Sequence, residues 1–248
     1  VQLIRLDGSY NARGIGAPER PWLVRSAALD GLTASGERTL RGLGVDLVID
    51  LREPQEHGAR AHGLAVRELP LYGEAPPRAG TLEDVYARLI RDRGERLAAA
   101  VAAIAEHPGT VAVHCTAGKD RTGLVVALAR LAAGEARAEI LADYAASGVA
   151  VRAARSALVA DQIAPLRLSR EARREAERLH LDSPAAALGL ALEQLDALGG
   201  AERYLLRHGA TPAQLAELAA RAAEAASHAA PDRPVPAARA ARTAEPVR

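Results

Sequence analysis

The 248-residue sequence predicts an α/β fold, with a mostly parallel central sheet flanked by helices and a largely helical C-terminal half. Two patterns carry this expectation. Up to Ala133, short apolar runs bounded by glycine, proline or charged residues alternate with segments of helical period. From Arg137 onward the helical period dominates. Composition adds a third constraint. Phe and Met are absent and a single Trp is present, so Leu, Val and Ala must fill the core. Such side chains fill an interior through many helix and sheet contacts rather than a few large anchors.

The first forty residues are rich in turn signals (Gly8, Asn11, Gly14, Gly16, Pro18, Pro21), and Trp22 to Val24 reads as a short strand. Thr33 is suited to cap a helix over Ala34 to Arg41, which Gly42 and Gly44 then stop. Val45 to Asp50 reads as a buried strand of parallel type, and Val66 to Leu69 as a second strand ended by Pro70. Thr81 to Asp92 and Glu95 to Glu106 are helical, separated by Gly94. Thr110 to His114 forms the next strand, and an apolar helix runs from Thr122 to Ala133. Later helices are expected over Arg137 to Ser147, Val151 to Asp161, Ser169 to His180 and Pro184 to Leu198, the last with Pro at its first position. Thr211 to Gln214 is a capping box that opens a helix to about Ala226. The composition divides the chain into a folded domain over 1–228 and a Pro/Ala/Arg-rich, disordered tail over 229–248.

Lys plus Arg number 32 and Asp plus Glu 31, a balance that argues against a nucleic-acid partner. No apolar run approaches the roughly 20 residues of a membrane span. Val1 to Leu6 lacks the pattern of a secretory leader, and one cysteine permits no intrachain disulfide. These features predict a reducing, cytoplasmic setting, while export without a signal peptide stays compatible with the sequence.

The chemistry concentrates after the Thr110 to His114 strand, in His114-Cys115-Thr116-Ala117-Gly118-Lys119-Asp120-Arg121-Thr122-Gly123. A small, Gly-containing loop between a strand and a helix can converge its backbone amides on one point. The helix N-terminus adds unpaired N–H groups and the positive end of its dipole. That point suits a doubly charged phosphate. The same field stabilises a thiolate, lowering a cysteine pKa from about 8.5 to roughly 3.5–7.5. Arg121, six positions after Cys115, can curl back and grip two phosphoryl oxygens. Cys115 is then ionised and aimed at phosphorus, as covalent phosphoryl transfer requires. A nucleotide-binding P-loop does not fit, because Val113 lies five residues before Gly118 and Asp120 follows Lys119 where Ser or Thr is needed.

This run resembles the signature of cysteine-based protein phosphatases, and its Ala-Gly-Lys-Asp interior resembles a bacterial, atypical tyrosine phosphatase family. Further motifs follow in that family's order: Arg25-Ser26 with Leu29, Asp50-Leu51-Arg52, Ala142-Asp143-Tyr144, and Leu198-Gly199-Gly200 with Tyr204-Leu205. The similarity spans Tyr10 to Ala226 and implies a dual-specificity or tyrosine-phosphatase-like fold. One departure is Asn11-Ala12-Arg13-Gly14-Ile15-Gly16, which lacks an acid the family often has after the arginine, and this puts a role for the segment in question.

The resemblance implies a phosphocysteine on Cys115, no metal and no cofactor. Arg121 and the loop from Thr116 through Ala117, Gly118 and Lys119 would bind phosphate, with Thr122 and Gly123 completing the site. His114 would orient the loop and help keep Cys115 ionised. Thr122 would donate to the sulfur, cap the helix, or both. The general acid is expected to be Asp120, ahead of Glu74 or Asp50, with Asp50 and Arg52 forming a structural ion pair. Lys119 would add charge beside the phosphate, making phosphoinositides candidate substrates beside phosphotyrosine proteins, with a solvated lysine as the alternative. A catalytically silent phosphopeptide-binding module is the remaining alternative. The row Arg170, Arg174 and Arg178 is either a solvated helix face or part of a helical lid.

Overall fold

A computed structural model describes residues 1–77 and 80–229; the expected tail lies almost entirely outside the described residues. Among them, six strands form one sheet in the order β1-β2-β3-β6-β4-β5. The parallel part comprises β3 (Pro21–Ser26), β6 (Thr110–His114), β4 (Val45–Asp50) and the exposed edge strand β5 (Ala65–Glu68). The turn-rich N-terminus adds an antiparallel edge, β1 (Gln2–Leu3) and β2 (Arg13–Gly16), so the sheet is mixed.

Alternation along the central strands divides the core in two. Leu23, Ile49, Val111 and Val113 point into a large apolar cluster on one face. That face is covered by α2 (Leu82–Asp92), α3 (Gly94–Glu106), α4 (Asp120–Ala132) and the later helices α7 (Ala185–Ala197), α8 (Gly200–Arg207) and α9 (Pro212–Ala229). Val24, Val48 and Ala112 point the other way, onto α1 (Ala34–Gly42). Thr33 caps α1 as its sequence predicts, accepting from the Gly36 amide at 3.1 Å.

Two boundaries differ from expectation in ways that shape the site. The helix after the Cys115 loop begins at Asp120 rather than Thr122, placing Asp120 and Arg121 in its first turn. The two segments expected at 137–147 and 151–161 are one 27-residue helix, α5 (Arg137–Ile163). Gly148 does not break it, because alanine-rich flanks offset the roughly 1 kcal/mol cost of one helical glycine. The missing side chain also lets Ser183 pack close; a Cβ at 148 would lie 3.1 Å from Ser183 Oγ. Smaller differences are Pro184 at the cap of α7 rather than inside it, and α8, a separate helix begun by the left-handed Gly199 (φ 99°).

α6 (Arg170–Leu181), capped by Ser169, packs back on α5. Val151, Val159, Ile163 and Leu181 form a third small core, against which Tyr10 and Ala117 of the Cys115 loop are packed. The α5–α6 pair therefore rests on the loop. At the opposite end of the sheet, the buried Arg221 of α9 donates to the carbonyls of Ile104, Trp22 and Gly109. Arg221→Ala removes the donor from all three and should cost about 3 kcal/mol in urea denaturation. The remaining folded protein should keep its turnover, since these contacts lie away from the site.

Candidate active site

Cys115 follows the last residue of β6, buried at 3% exposure, and is a free thiol. The chain then bends through Thr116 to Lys119 and enters α4. Amides from Thr116 to Arg121 make no backbone hydrogen bond among the described residues. The loop's carbonyls are held instead. Asn11 donates its side-chain amide to Ala117 O at 2.9 Å and Gly118 O at 3.0 Å, and Arg25 donates to Gly118 O at 2.8 Å. With these oxygens tied on the side of β2 and β3, the N–H groups are free to converge on an anion.

The holding groups are themselves fixed by a buried charge cluster. Asp143 accepts from Arg13 Nε at 2.6 Å and from Arg25 Nη1 at 2.7 Å, and Ser147 accepts from both arginines. Arg13 also donates to the Asn11 side chain at 2.5 Å. Burial would raise the Asp143 carboxyl, but Arg25 and Arg13 bring it down to about 2. Burial and Arg25 bring Arg13 down to about 10, still charged at neutral pH. The segment Asn11 to Arg13, in question on sequence grounds because of its missing acid, is thus a direct support of the loop. Its carboxylate comes from α5.

Gly118 is required by its position. Its φ is +64°, and a Cβ there would sit 2.2 Å from the Ser26 carbonyl oxygen. Gly123 gives room to Tyr144, whose ring carbon would lie 2.9 Å from a Cβ at 123.

Arg121 is buried against the loop and stacks over Tyr72, 4.7 Å from the ring centre. Glu56, in the short turn after the Asp50-Leu51-Arg52 triplet, grips it in bidentate fashion at 2.5 and 2.7 Å. Glu56 also accepts from Thr116 Oγ1 at 2.5 Å. Each terminal nitrogen of Arg121 serves two acceptors, counting Leu51 O and Thr116 Oγ1, and among the described residues no hydrogen bond engages Nε–H. Burial disfavours the charge on Arg121, but Glu56 and Cys115 more than offset it and hold the guanidinium firmly protonated. Glu56 had no place among the expected site residues; an acid four positions after Arg52 was its only signal.

His114 lies inside the strand end, its Nε2 3.7 Å from Asp50 Oδ2 and its Nδ1 3.3 Å from Cys115 O. Burial pushes it down to about 4 despite Asp50, so the ring is neutral at neutral pH. Asp50 pairs with Arg52 at 2.8 Å, the structural brace expected of them. Thr122 is fully buried, and its hydroxyl has no hydrogen-bond partner among the described residues.

Asp120 faces the cleft that contains Cys115 and accepts from the Tyr86 hydroxyl at 2.8 Å. Glu74 lines a different cleft and approaches Arg93 at 3.5 Å. Lys119 is not a solvated lysine. Its ammonium is buried and donates to Leu179 O and Asp182 O, both at 2.8 Å, at the C-terminal end of α6. It also lies 3.1 Å from Asp120 Oδ1. Arg178 of α6 pairs with Glu83 of α2 at 2.5 Å. Together these contacts dock α6 against the site, and Leu179 and His180 form one wall of the cleft. No group of three or more metal-ligating side chains occurs among the described residues.

The profile of a tyrosine phosphatase family matches residues 4–224. The chain belongs to the tyrosine phosphatase family. Among its relatives are the triple specificity protein phosphatase PtpB of Mycobacterium tuberculosis (30% identical, covering 59% of this chain and 69% of the relative). A tyrosine-protein phosphatase of Nostoc commune is 32% identical over 50% of this chain and 47% of its own. A protein from Cupriavidus necator named as a tyrosine-protein phosphatase is 34% identical, over 49% and 51%. The chain thus spans about half the length of the latter two. Family membership accounts for the α/β fold with its helical C-terminal half and for a loop built around one cysteine. Among the described residues no helix is long and apolar enough to cross a membrane.

Two measurements check this geometry. Gly118→Ala must displace backbone at Ser26, so phosphatase turnover should fall at least about 100-fold while circular dichroism shows a folded protein. The Asp143 cluster makes stability depend on acid. Its carboxyl titrates lower folded than unfolded, so its contribution of about 2–3 kcal/mol is fully present above about pH 4. That contribution declines as pH falls through about 2. In Asp143→Asn the corresponding slope of unfolding free energy against pH should flatten.

Proposed function

We propose that this chain hydrolyses phosphomonoesters of tyrosine-phosphorylated proteins through a phosphocysteine on Cys115, with Asp120 as general acid. The observation that carries the reading is the joint placement of Cys115, a loop whose amides are left free, and Arg121 in one cleft. In this mechanism Cys115 Sγ attacks phosphorus as the phosphate's equatorial oxygens accept from the loop amides and from Arg121 Nε–H. The P–O bond to the phenol breaks, and the departing oxygen takes a proton from Asp120. Water, deprotonated by Asp120, then attacks the phosphocysteine and releases phosphate and the thiolate. Glu56 keeps the Arg121 fork in place through both steps.

Asp120 is favoured over its rivals by position. Asp50 is buried and paired with Arg52, and Glu74 lines another cleft. A phosphoinositide substrate selected by Lys119 finds less support, because that ammonium already serves two carbonyls of α6.

Cys115→Ser should lower hydrolysis of p-nitrophenyl phosphate by three orders of magnitude or more. Near-wild-type turnover in that variant would remove Cys115 as nucleophile, and binding of phosphopeptide with no turnover by the wild type would leave only a binding module. Asp120→Asn should lose the descending limb of the pH–rate profile and about 100-fold in rate on a phosphotyrosine peptide, with a smaller loss on the better p-nitrophenol leaving group.

A further inference from the structure

A pair of buried tyrosines lies behind the proposed acid, contributed by two helices outside the Cys115 loop. Tyr86 of α2 is fully buried, and its hydroxyl is 2.8 Å from Asp120 Oδ1. The Tyr144 hydroxyl of α5 makes a short hydrogen bond to that of Tyr86, and the two rings meet edge to face at 6.1 Å. Proton counting orders the chain. A carboxylate can only accept, so Tyr86 must give its single proton to Asp120. Tyr144 must therefore donate to the Tyr86 oxygen. Burial, reinforced by Asp120, holds the Tyr86 hydroxyl well above its ordinary pKa, so it remains a donor throughout an assay range.

We propose that Tyr86, oriented by Tyr144, is a positioning residue for catalysis: it fixes Asp120 through Oδ1 and reserves Oδ2 for the proton delivered to the leaving group. This rests on Asp120 being the acid. Lys119 Nζ approaches the same oxygen, at 3.1 Å. The two donors thus converge on Oδ1, and among the described residues no hydrogen bond or ion pair engages Oδ2. Charged and titratable groups around the carboxyl are Lys119, Cys115 and Arg121 from the loop and first turn, Glu56 from the turn after Arg52, Tyr72 from the segment before α2, Tyr86 from α2, Tyr144 and Arg155 from α5 and His180 from α6. Of these, Tyr86 and Lys119 make direct contact, and Lys119 is itself held by carbonyls of α6. Tyr144 further explains Gly123: its ring occupies the space that a side chain at 123 would need. The last glycine of the loop signature therefore serves the tyrosine pair as well as the phosphate loop.

A phenol donating to a carboxylate favours the ionised form and also restrains its rotation. In Tyr86→Phe, loss of this hydrogen bond should move the descending limb of kcat to higher pH. Because the carboxyl is no longer aimed, kcat at the optimum should fall about tenfold on a phosphotyrosine peptide and less on p-nitrophenyl phosphate. Tyr144→Phe should shift the limb in the same direction by less, since it removes only the group that polarises Tyr86. Alkylation of Cys115 by iodoacetate, followed against pH, should be the same in wild type and both variants. An unmoved limb in Tyr86→Phe, with rates reduced equally on both substrates, would show a purely structural tyrosine and overturn the proposal. Asp120→Asn in the same series separates the two ideas. If it keeps the descending limb, the acid assignment has failed; if it loses the limb while Tyr86→Phe leaves it in place, only the tyrosine's role has failed.

Discussion

The site depends on two carbonyl oxygens being held out of it. An anion pocket made of backbone amides works only while the opposite ends of those peptides have better partners elsewhere, and here Asn11 and Arg25 supply them to Ala117 and Gly118. Arg25 is in turn held by Asp143, which also holds Arg13, and Arg13 holds Asn11. Burying this many charges carries a large desolvation cost, tolerable because the members are paired and hydrogen-bonded. The cluster joins β2, β3 and α5 behind the loop and turns a flexible Gly-containing segment into a fixed cradle. Gly118 completes the arrangement, since only a residue without a Cβ can pass Ser26 at this distance.

The parallel strands deliver the reactive groups to one end of the sheet, the usual place for a site in an open α/β fold. β6 ends just before Cys115, and β4 ends at Asp50 of the Asp50-Arg52 brace, from which the Glu56 turn departs. Two acids then sit in different settings. Glu56 is held below the usual carboxylate range, because its hydrogen bonds to Arg121 outweigh burial, and it serves as a permanent anion that aims the guanidinium. Asp120 is partly open to the cleft and accepts from Tyr86. Lys119 links these parts to α6, so the helical pair over the loop and the phosphate cradle are mechanically connected.

Local patterns in the chain were legible where neighbours in sequence are also neighbours in space. The apolar strands, the Thr33 cap and the Cys115 loop followed by a helix are of this kind. Errors fell where a long-range contact outweighed a local signal. The segments at 137–147 and 151–161 looked separate, yet α5 runs unbroken through Gly148, against which Ser183 packs. The turn-rich N-terminus looked irregular, yet it supplies an antiparallel edge because β3 offers it a partner. The missing acid after Arg13 cast doubt on a segment whose acid, Asp143, is 130 residues away.

For the site, the sequence by itself singled out Cys115, the arginine six residues later and the glycine-bearing turn between them, because one strand, one loop and one helix contain them all. Its motifs also marked Asn11, Arg13, Arg25 and Asp143 without showing that they form one cluster. Only the tertiary structure decided what contacts those groups: Glu56 on Arg121, the Tyr86 hydroxyl on Asp120, and the carbonyls at the end of α6 that take up Lys119. Each of these is a contact between elements distant along the chain. Spacing within a loop fixes which groups can meet, but direction and burial come from the packing of other helices against it.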